Sequence, residues 1–283
     1  MNHRSFKRLF LILLFGLFIR ETSHCLHAQL RTRSKVNVLM PSELPNNSLE
    51  KHGWKFLWQD DFNNDTLNTL RWWAQEREDP ASLCYITAKK ENLFVKNGYL
   101  NIVNLKESYK GSEYTGAMVF ASEKVKPNSY VEVSMKIAKG KGFWPCFWFW
   151  SGSDTTYQEL DVAEYKGSRS SEFQISNHYW DEQKKKIDTQ WRIVYPRNPS
   201  DGKQIDMAES FHIYGVEWLP DKVVIYMNNV PIFEITTNVP QRPMGLILSM
   251  GTGGIDGKPN RKTVFPSTLY IDYVRVYKKD GVK

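Results

Sequence analysis

The chain has 283 residues, 41% of them hydrophobic and 24% charged, and a net charge of +7. This is ordinary globular usage and excludes a disordered, collagen-like or polytopic membrane protein. Aromatic residues reach 14%, with 10 Trp and 14 Tyr, a surplus over core needs that suits stacking on flat ligands or sugar rings.

Arg4, Lys7 and Arg8 precede an apolar run from Leu9 to Ile19. The run is too short for a bilayer, which takes about 20 residues, and fits the core of an export signal. Residues 1–28 are therefore expected to be a signal peptide cleaved after Ala28, with no membrane insertion afterwards. The mature protein is expected to be secreted, or periplasmic or on the cell surface. A lipid anchor at Cys25 is disfavoured, because Thr22-Ser23-His24 make a poor lipidation site. Part of the positive charge (Arg4, Lys7, Arg8 and Arg20 against Glu21) falls in this leader. The remaining mild balance is weak support for an anionic partner, and no Lys/Arg run resembles a nucleic-acid footprint, so no nucleic-acid partner is expected. Cys84 and Cys146 could pair in an oxidising compartment, although Cys146 lies in an aromatic strand and reads better as a buried thiol. No CxxC or His/Cys cluster has zinc spacing.

Residues 29–52 are polar, with Pro41, Pro45 and Asn46-Asn47, and read as a tether without its own core. From residue 53 to 283 the texture is that of one domain, expected to act as a monomer. Leu93-Phe94-Val95 and Tyr99 to Val103 flank Asn97-Gly98, a hairpin signal. Val131, Val133, Met135 and Ile137 alternate with Glu132, Ser134 and Lys136, the period-two pattern of a half-buried strand. Lys222 to Met227 and Pro231 to Ile235 flank Asn228-Asn229, a second hairpin. Leu246 to Met250 and Leu269 to Tyr277 are further strands. Long helical periodicity is nearly absent, so the fold class is all-β, an antiparallel sandwich or barrel.

The chemistry lies between Gly142 and Gly167. The aromatic run Phe143 to Trp150 is followed by Glu159-Leu160-Asp161-Val162-Ala163-Glu164. On a regular strand Glu159 and Asp161 share a face and Glu164 turns away. A one-residue bulge near Val162-Ala163 would return Glu164 to that face, and bulges are enriched beside active sites. Three neighbouring carboxylates repel, which a purely structural strand avoids. Retaining glycoside hydrolysis has a use for them: one carboxylate attacks and one carboxylic acid donates a proton, about 5–5.5 Å apart. Asp161, between the glutamates, can hydrogen-bond the nucleophile, and its charge helps keep the acid protonated. An isolated ExDxxE pattern belongs more often on a solvated acidic strand than in an active site, since short acidic patterns are common. The preceding strand changes the balance, because Trp144, Cys146, Trp148 and Trp150 would share one face and offer indole rings to sugars.

Trp144 to Trp148 (WPCFW) followed by ELDVAE resembles glycoside hydrolase family 16, which includes laminarinases, lichenases, agarases, porphyranases and carrageenases. The resemblance extends over most of residues 54–278, through Trp58 to Asn63, Tyr114 to Ala117, Tyr214 to Trp218 and Tyr270 to Tyr277. It implies a β-jelly-roll sandwich of two curved antiparallel sheets with a concave cleft. It implies Glu159 as nucleophile, Asp161 as its assistant and Glu164 as acid/base, with Trp144, Trp148 and His178 holding sugar. No cofactor is required for catalysis. A structural calcium on the convex side is implied, with Asp272, the Gly98 carbonyl and a carbonyl near Asp61 as ligands; an ion pair between Asp272 and a Lys or Arg is the alternative.

The chain departs from laminarinases at Ala163, at Gln174 to Asn177 and at Ile255-Asp256-Gly257, where a Trp often follows the glycine pair matched by Gly253-Gly254. The expected activity is a secreted retaining endo-glycosidase on a β-1,3- or mixed-linkage β-1,3(4)-glucan. The alternatives are an endo-galactanase on agar, porphyran or carrageenan, and a non-catalytic glycan-binding module on the same fold.

Overall fold

The computed structural model describes residues 35–41, 51–152 and 156–281. The expected signal peptide, residues 1–28, and Cys25 lie outside them. In chain order the strands are β1 (Lys35–Leu39), β2 (Trp54–Asp60), β3 (Trp72–Ala74), β4 (Arg77–Glu78), β5 (Cys84–Ile86) and β6 (Leu93–Lys96). Then come β7 (Tyr99–Tyr109), β8 (Ser112–Ala121), β9 (Ser129–Lys136), β10 (Phe143–Ser151), β11 (Gln158–Glu164) and β12 (Phe173–Asp181). The last six are β13 (Lys186–Arg197), β14 (His212–Trp218), β15 (Val223–Met227), β16 (Val230–Ile235), β17 (Gly245–Thr252) and β18 (Ser267–Lys279). Gly167–Arg169 and Gly254–Asp256 form single 3₁₀ turns.

One sheet runs in the order β1, β13, β12, β11, β10, β17, β8, β3. The second is built on β18, which pairs with β9 on one side and with β7 and β2 in succession on the other. Beyond β9 it continues through β14, β15 and β16. β7 leaves β18 after Asn104 and pairs with β8 from Leu105, so these two long strands close one side of the sandwich. The result is the expected jelly-roll.

Local chemistry explains the elements. Asn97 and Gly98 have φ of 57° and 74°, and Asn228 and Asn229 have 48° and 63°. These are the left-handed values that tight hairpins require and that Asn and Gly tolerate. Phe143, Phe147, Phe149, Leu160 and Val162 from the first sheet meet Val133, Met135, Val216, Ile225 and Val274 from the second in one buried core.

Three expectations need correction or completion. The 29–52 tether is not all tether. Val36, Val38 and Met40 are buried, and β1 pairs in parallel with β13 from Lys35↔Ile193 to Leu39↔Arg197. A short alternation, KVNVL, buries every second side chain, which a polar average over 24 residues conceals. β9 is buried on both faces rather than one. Glu132 on its outer face accepts hydrogen bonds from Lys51 (2.9 Å) and the Tyr273 hydroxyl (3.0 Å), and Arg275 approaches to 3.6 Å. These partners satisfy a carboxylate that burial would otherwise penalise. Cys84 and Cys146 are both free and buried, and burial pushes both thiols up, Cys84 to about 11.

Candidate active site

The acids owe their convergence to register. Against β12, Asp161 opposes Ser176 while Glu164 opposes Gln174, so three steps on β11 match two on its neighbour. The slip recurs against β10, where Phe147 faces Ala163 and Trp148 faces Asp161. One extra residue is thus accommodated at Val162, and the two consecutive apolar side chains Val162 and Ala163 both enter the core. Glu164 is thereby returned to the concave face with Glu159 and Asp161.

Each acid has its own partners. Glu159 accepts a short hydrogen bond from the Tyr157 hydroxyl. His178 Nε2 lies 3.1 Å from Asp161 Oδ2 and 3.9 Å from Glu159 Oε1. Its Nδ1 is 2.7 Å from the Thr189 hydroxyl. With Nε2–H donating to Asp161, that hydroxyl donates to Nδ1, which fixes the ring. Polar atoms of Glu159, Asp161 and His178 all lie within 4.8 Å of one another. Glu164 accepts from Trp144 Nε1 at 3.1 Å and from Gln174 Nε2 at 3.3 Å.

Electrostatics follows from this crowding. Burial pushes the Glu159 carboxyl up to about 7, and the charge of Asp161 adds to it. The Tyr157 hydrogen bond and His178 pull the other way. Glu164 is also held above the ordinary carboxylate range, by burial first and Asp161 second. Asp161 rises through burial. Like charges this close cannot all ionise together, so the group holds protons at neutral pH. A carboxylate beside a protonated carboxylic acid is the pairing that glycoside cleavage uses.

The aromatic strand forms the adjoining wall. Trp144 and Trp148 are half-buried, Trp150 is exposed, and the intervening Phe147 and Phe149 point into the core. Trp148 Nε1 donates to Ser249 Oγ at 3.1 Å. Trp144 lies against Gly254, whose φ is 52° and where an added Cβ would enter the indole ring. A pocket between these walls is lined by Arg77, Asp79, Trp144, Trp148, Asp161 and Glu164 among others. All six expected catalytic and sugar-binding residues therefore share one concave surface.

Asp61, Gly98 and Asp272 do not join them. They belong to the second sheet, at the end of β2, in the β6–β7 turn and in β18. The register brings Leu100 opposite Ile271 and Asp60 opposite Val274, so the three positions converge beside the middle of β18, where β7 begins and β2 ends. Asp272 stands at a bulge of β18 and accepts a hydrogen bond from Ser134 Oγ at 3.1 Å. The Asn63 side-chain oxygen lies 3.3 Å from where a Cβ on Gly98 would stand. The neighbourhood is rich in oxygen donors, the chemistry that calcium takes.

Sequence reasoning passed over Tyr157, Thr189 and Ser249 as functional residues and noted Gln174 only as a departure. The period-two rule extended from His178 back to Ser176 and Gln174 would have placed Gln174 on the cleft face. Tyr157 lies one residue before β11, outside the strand alternation, and carries no such signal.

Residues 81–275 match the family described as glycosyl hydrolases family 16. The glucan endo-1,3-beta-glucosidase A1 of Niallia circulans is 26% identical over 80% of this chain, which spans 38% of that relative's length. Among solved structures, the laminarinase catalytic domain of Thermotoga maritima is 27% identical with a TM-score of 0.69, covering 80% of this chain and 99% of the other. The endo-beta-1,3-glucanase of Pyrococcus furiosus is 26% identical with a TM-score of 0.68, covering 80% and 94%. With the bulged acid triad on the concave face and a match over more than half its length, this chain belongs to glycosyl hydrolases family 16.

Proposed function

We propose that the protein is a retaining endo-glycosidase that cleaves a β-1,3- or mixed-linkage β-1,3(4)-glucan. The observation that carries this is the bulge at Val162, which sets Glu159, Asp161 and Glu164 on one face beside Trp144 and Trp148. The endo-1,3-β-glucanase relatives support the choice of substrate.

In this reading Glu159 attacks the anomeric carbon while Glu164 protonates the departing glycosidic oxygen. The glycosyl–Glu159 ester is then opened by water, which Glu164, now a carboxylate, deprotonates. Asp161 and His178 hold Glu159 in line. Trp144 fixes the Glu164 oxygen through its indole N–H. The non-catalytic binding-module alternative gains nothing from a buried acid triad with raised proton affinity. A galactan carrying charged substituents remains a second reading, favoured by one feature: Arg77 lines the cleft, and its buried Nε has no hydrogen-bond partner among the described residues.

The same proposal places the enzyme outside the cell, on the strength of the charged and apolar leader. It also gives Asp272 and the carbonyls near Gly98 and Asp61 the task of holding a structural calcium, which would brace the junction of β2 and β7 along β18 and take no part in the reaction.

Protein recovered from culture medium, with an N-terminus reading from Gln29, is to be incubated with β-glucans and red-algal galactans, and new reducing ends counted. Cleavage of a β-glucan is expected. Glu164→Gln should lower it by about 10²–10⁴-fold, the usual weight of general acid–base catalysis, and Glu159→Gln at least as much. Binding without cleavage in the unaltered protein would sink the proposal.

A further inference from the structure

The turn Gly254–Asp256 ends on a carboxylate that reaches out of its own loop. Asp256 is 2% exposed. Its Oδ2 accepts from the backbone N–H of Gly142 at 2.7 Å and of Ser168 at 3.1 Å. Its Oδ1 accepts a short hydrogen bond from the Ser168 hydroxyl, and Lys141 Nζ lies 3.5 Å away. Lys141 Nζ also donates to the Asp256 carbonyl. Three segments meet at this residue: the chain entering β10, the chain leaving β11 and the turn after β17. Their backbones complete the knot. Gly140 N–H donates to the Gly167 carbonyl at 2.9 Å, and Gly253 N–H donates to the Gly142 carbonyl at 2.7 Å.

The knot surrounds the acid/base. Gly142 comes shortly before Trp144 on β10, and Ser168 shortly after Glu164 on β11. Within the turn itself, Gly254 lies against the Trp144 ring, and Ile255 lines a small cavity with Glu164 and Gln174. Trp144 and Gln174 are the two residues that donate to Glu164. A buried carboxylate is costly unless its oxygens are satisfied, and an apolar side chain would brace a loop without that cost. Asp256 instead fixes the turn through directional bonds to two other segments, which places Gly254 and Ile255 more exactly than packing alone does. It falls in the run Ile255-Asp256-Gly257, where the sequence departs from laminarinases.

We propose that Asp256 is a positioning residue for the acid/base: by tying the three segments together it seats the turn that holds Trp144 against Glu164. The proposal rests on the glycanase reading above. Asp256 touches none of the three acids in the cleft, so its influence passes through Gly254 to the indole and from the indole N–H to the Glu164 carboxyl. Loss of the knot should therefore be felt at Glu164 and spare Glu159.

The test measures kcat and KM across pH for the unaltered enzyme, Asp256→Ala, Asp256→Asn and Ser168→Ala, with melting temperatures beside them. Asp256→Ala should lower kcat about ten- to a hundredfold, the scale of a small misplacement at the reacting centre, with KM held. The Trp144 hydrogen bond favours the Glu164 anion. Without it the proton is held more tightly, so the basic limb of kcat/KM should move to higher pH while the acid limb stays. Asp256→Asn keeps an oxygen for both backbone N–H groups and should recover most of the rate. Ser168→Ala removes one hydroxyl and should move the same limb by less; it carries the test if Asp256→Ala does not fold. Ile232→Ala, in the main core on β16, should lower the melting temperature and leave both limbs in place. A substrate-free check follows the Trp144 indole N–H by NMR, assigned by its loss in Trp144→Phe. Its resonance should track the titration of Glu164 in the unaltered protein and cease to do so in Asp256→Ala. A basic limb that stays or moves down, or an indole resonance that still tracks Glu164 without the Asp256 carboxylate, overturns the proposal, reduces Asp256 to a structural staple and leaves the glycanase reading standing. If the unaltered protein cleaves no glycan, both readings fall.

Discussion

Glu159 and Glu164 are the same residue type in one cleft, and what separates their roles is who donates to them. Glu159 receives a hydroxyl proton from Tyr157 and lies beside His178, both of which favour its anion. Glu164 accepts an indole and an amide hydrogen bond and no hydroxyl among the described residues, while Asp161 raises both glutamates and His178 lowers both. Activity needs Glu159 ionised and Glu164 protonated, so kcat/KM should trace a bell. Its acid limb should lie near 7, where Glu159 loses its proton. Removing the Tyr157 hydroxyl withdraws a contact that lowers this value, so Tyr157→Phe should move the acid limb to higher pH. Activity at about pH 6 should then fall more than activity at about pH 8. A limb that stays in place, or moves down, contradicts the assignment of Glu159 as the group that must ionise. At this scale the sequence was generous with the acids, because their spacing against strand alternation announces a bulge. It was silent on Tyr157, which stands just outside β11, and on Thr189, whose role depends on a neighbouring strand.

The bulge and the glycine turn after β17 work as a pair. One turns Glu164 into the cleft, and the other leaves room for the indole that holds it. A side chain at Gly254 would meet both a left-handed backbone and the Trp144 ring. Gly254→Ala should therefore lower stability by about 1–3 kcal/mol, as overpacking does. It should also lower kcat/KM, because a displaced Trp144 no longer donates to Glu164. Thermal unfolding and initial rates together check this; an unchanged melting point with unchanged rates would show that the ring yields freely. The hairpins at Asn97-Gly98 and Asn228-Asn229 were legible in the sequence because their turn residues and flanking alternation lie within a dozen positions. β1 was not, since its hydrogen-bonding partner β13 begins about 150 residues later and its five residues sit in a polar segment.

For the molecule as a whole, strand content was evident from the sequence but strand order was not. β17 sits between β10 and β8, a placement fixed by packing at long range rather than by any local pattern. In the second sheet, β18 brings Asp272, Gly98 and the chain after β2 together around oxygen donors. If calcium sits there, chelation with EGTA should lower the melting temperature by several degrees and added Ca²⁺ should restore it, by mass action on the folded state. Asp272→Asn should blunt the response; a melting point indifferent to chelator would refute the calcium assignment. The parallel strand β1 has a consequence of its own. It lies along the backbone of β13, and Arg197 Nε reaches Asn37 Oδ1 at 2.7 Å. Trimming the chain back to residue 41 would bare a run of peptide donors and acceptors on that margin, together with the side chains that Val36 and Val38 now cover. Such a margin is adhesive: a second molecule would dock its own strand there, and the trimmed enzyme would assemble into aggregates long before its catalytic groups were disturbed.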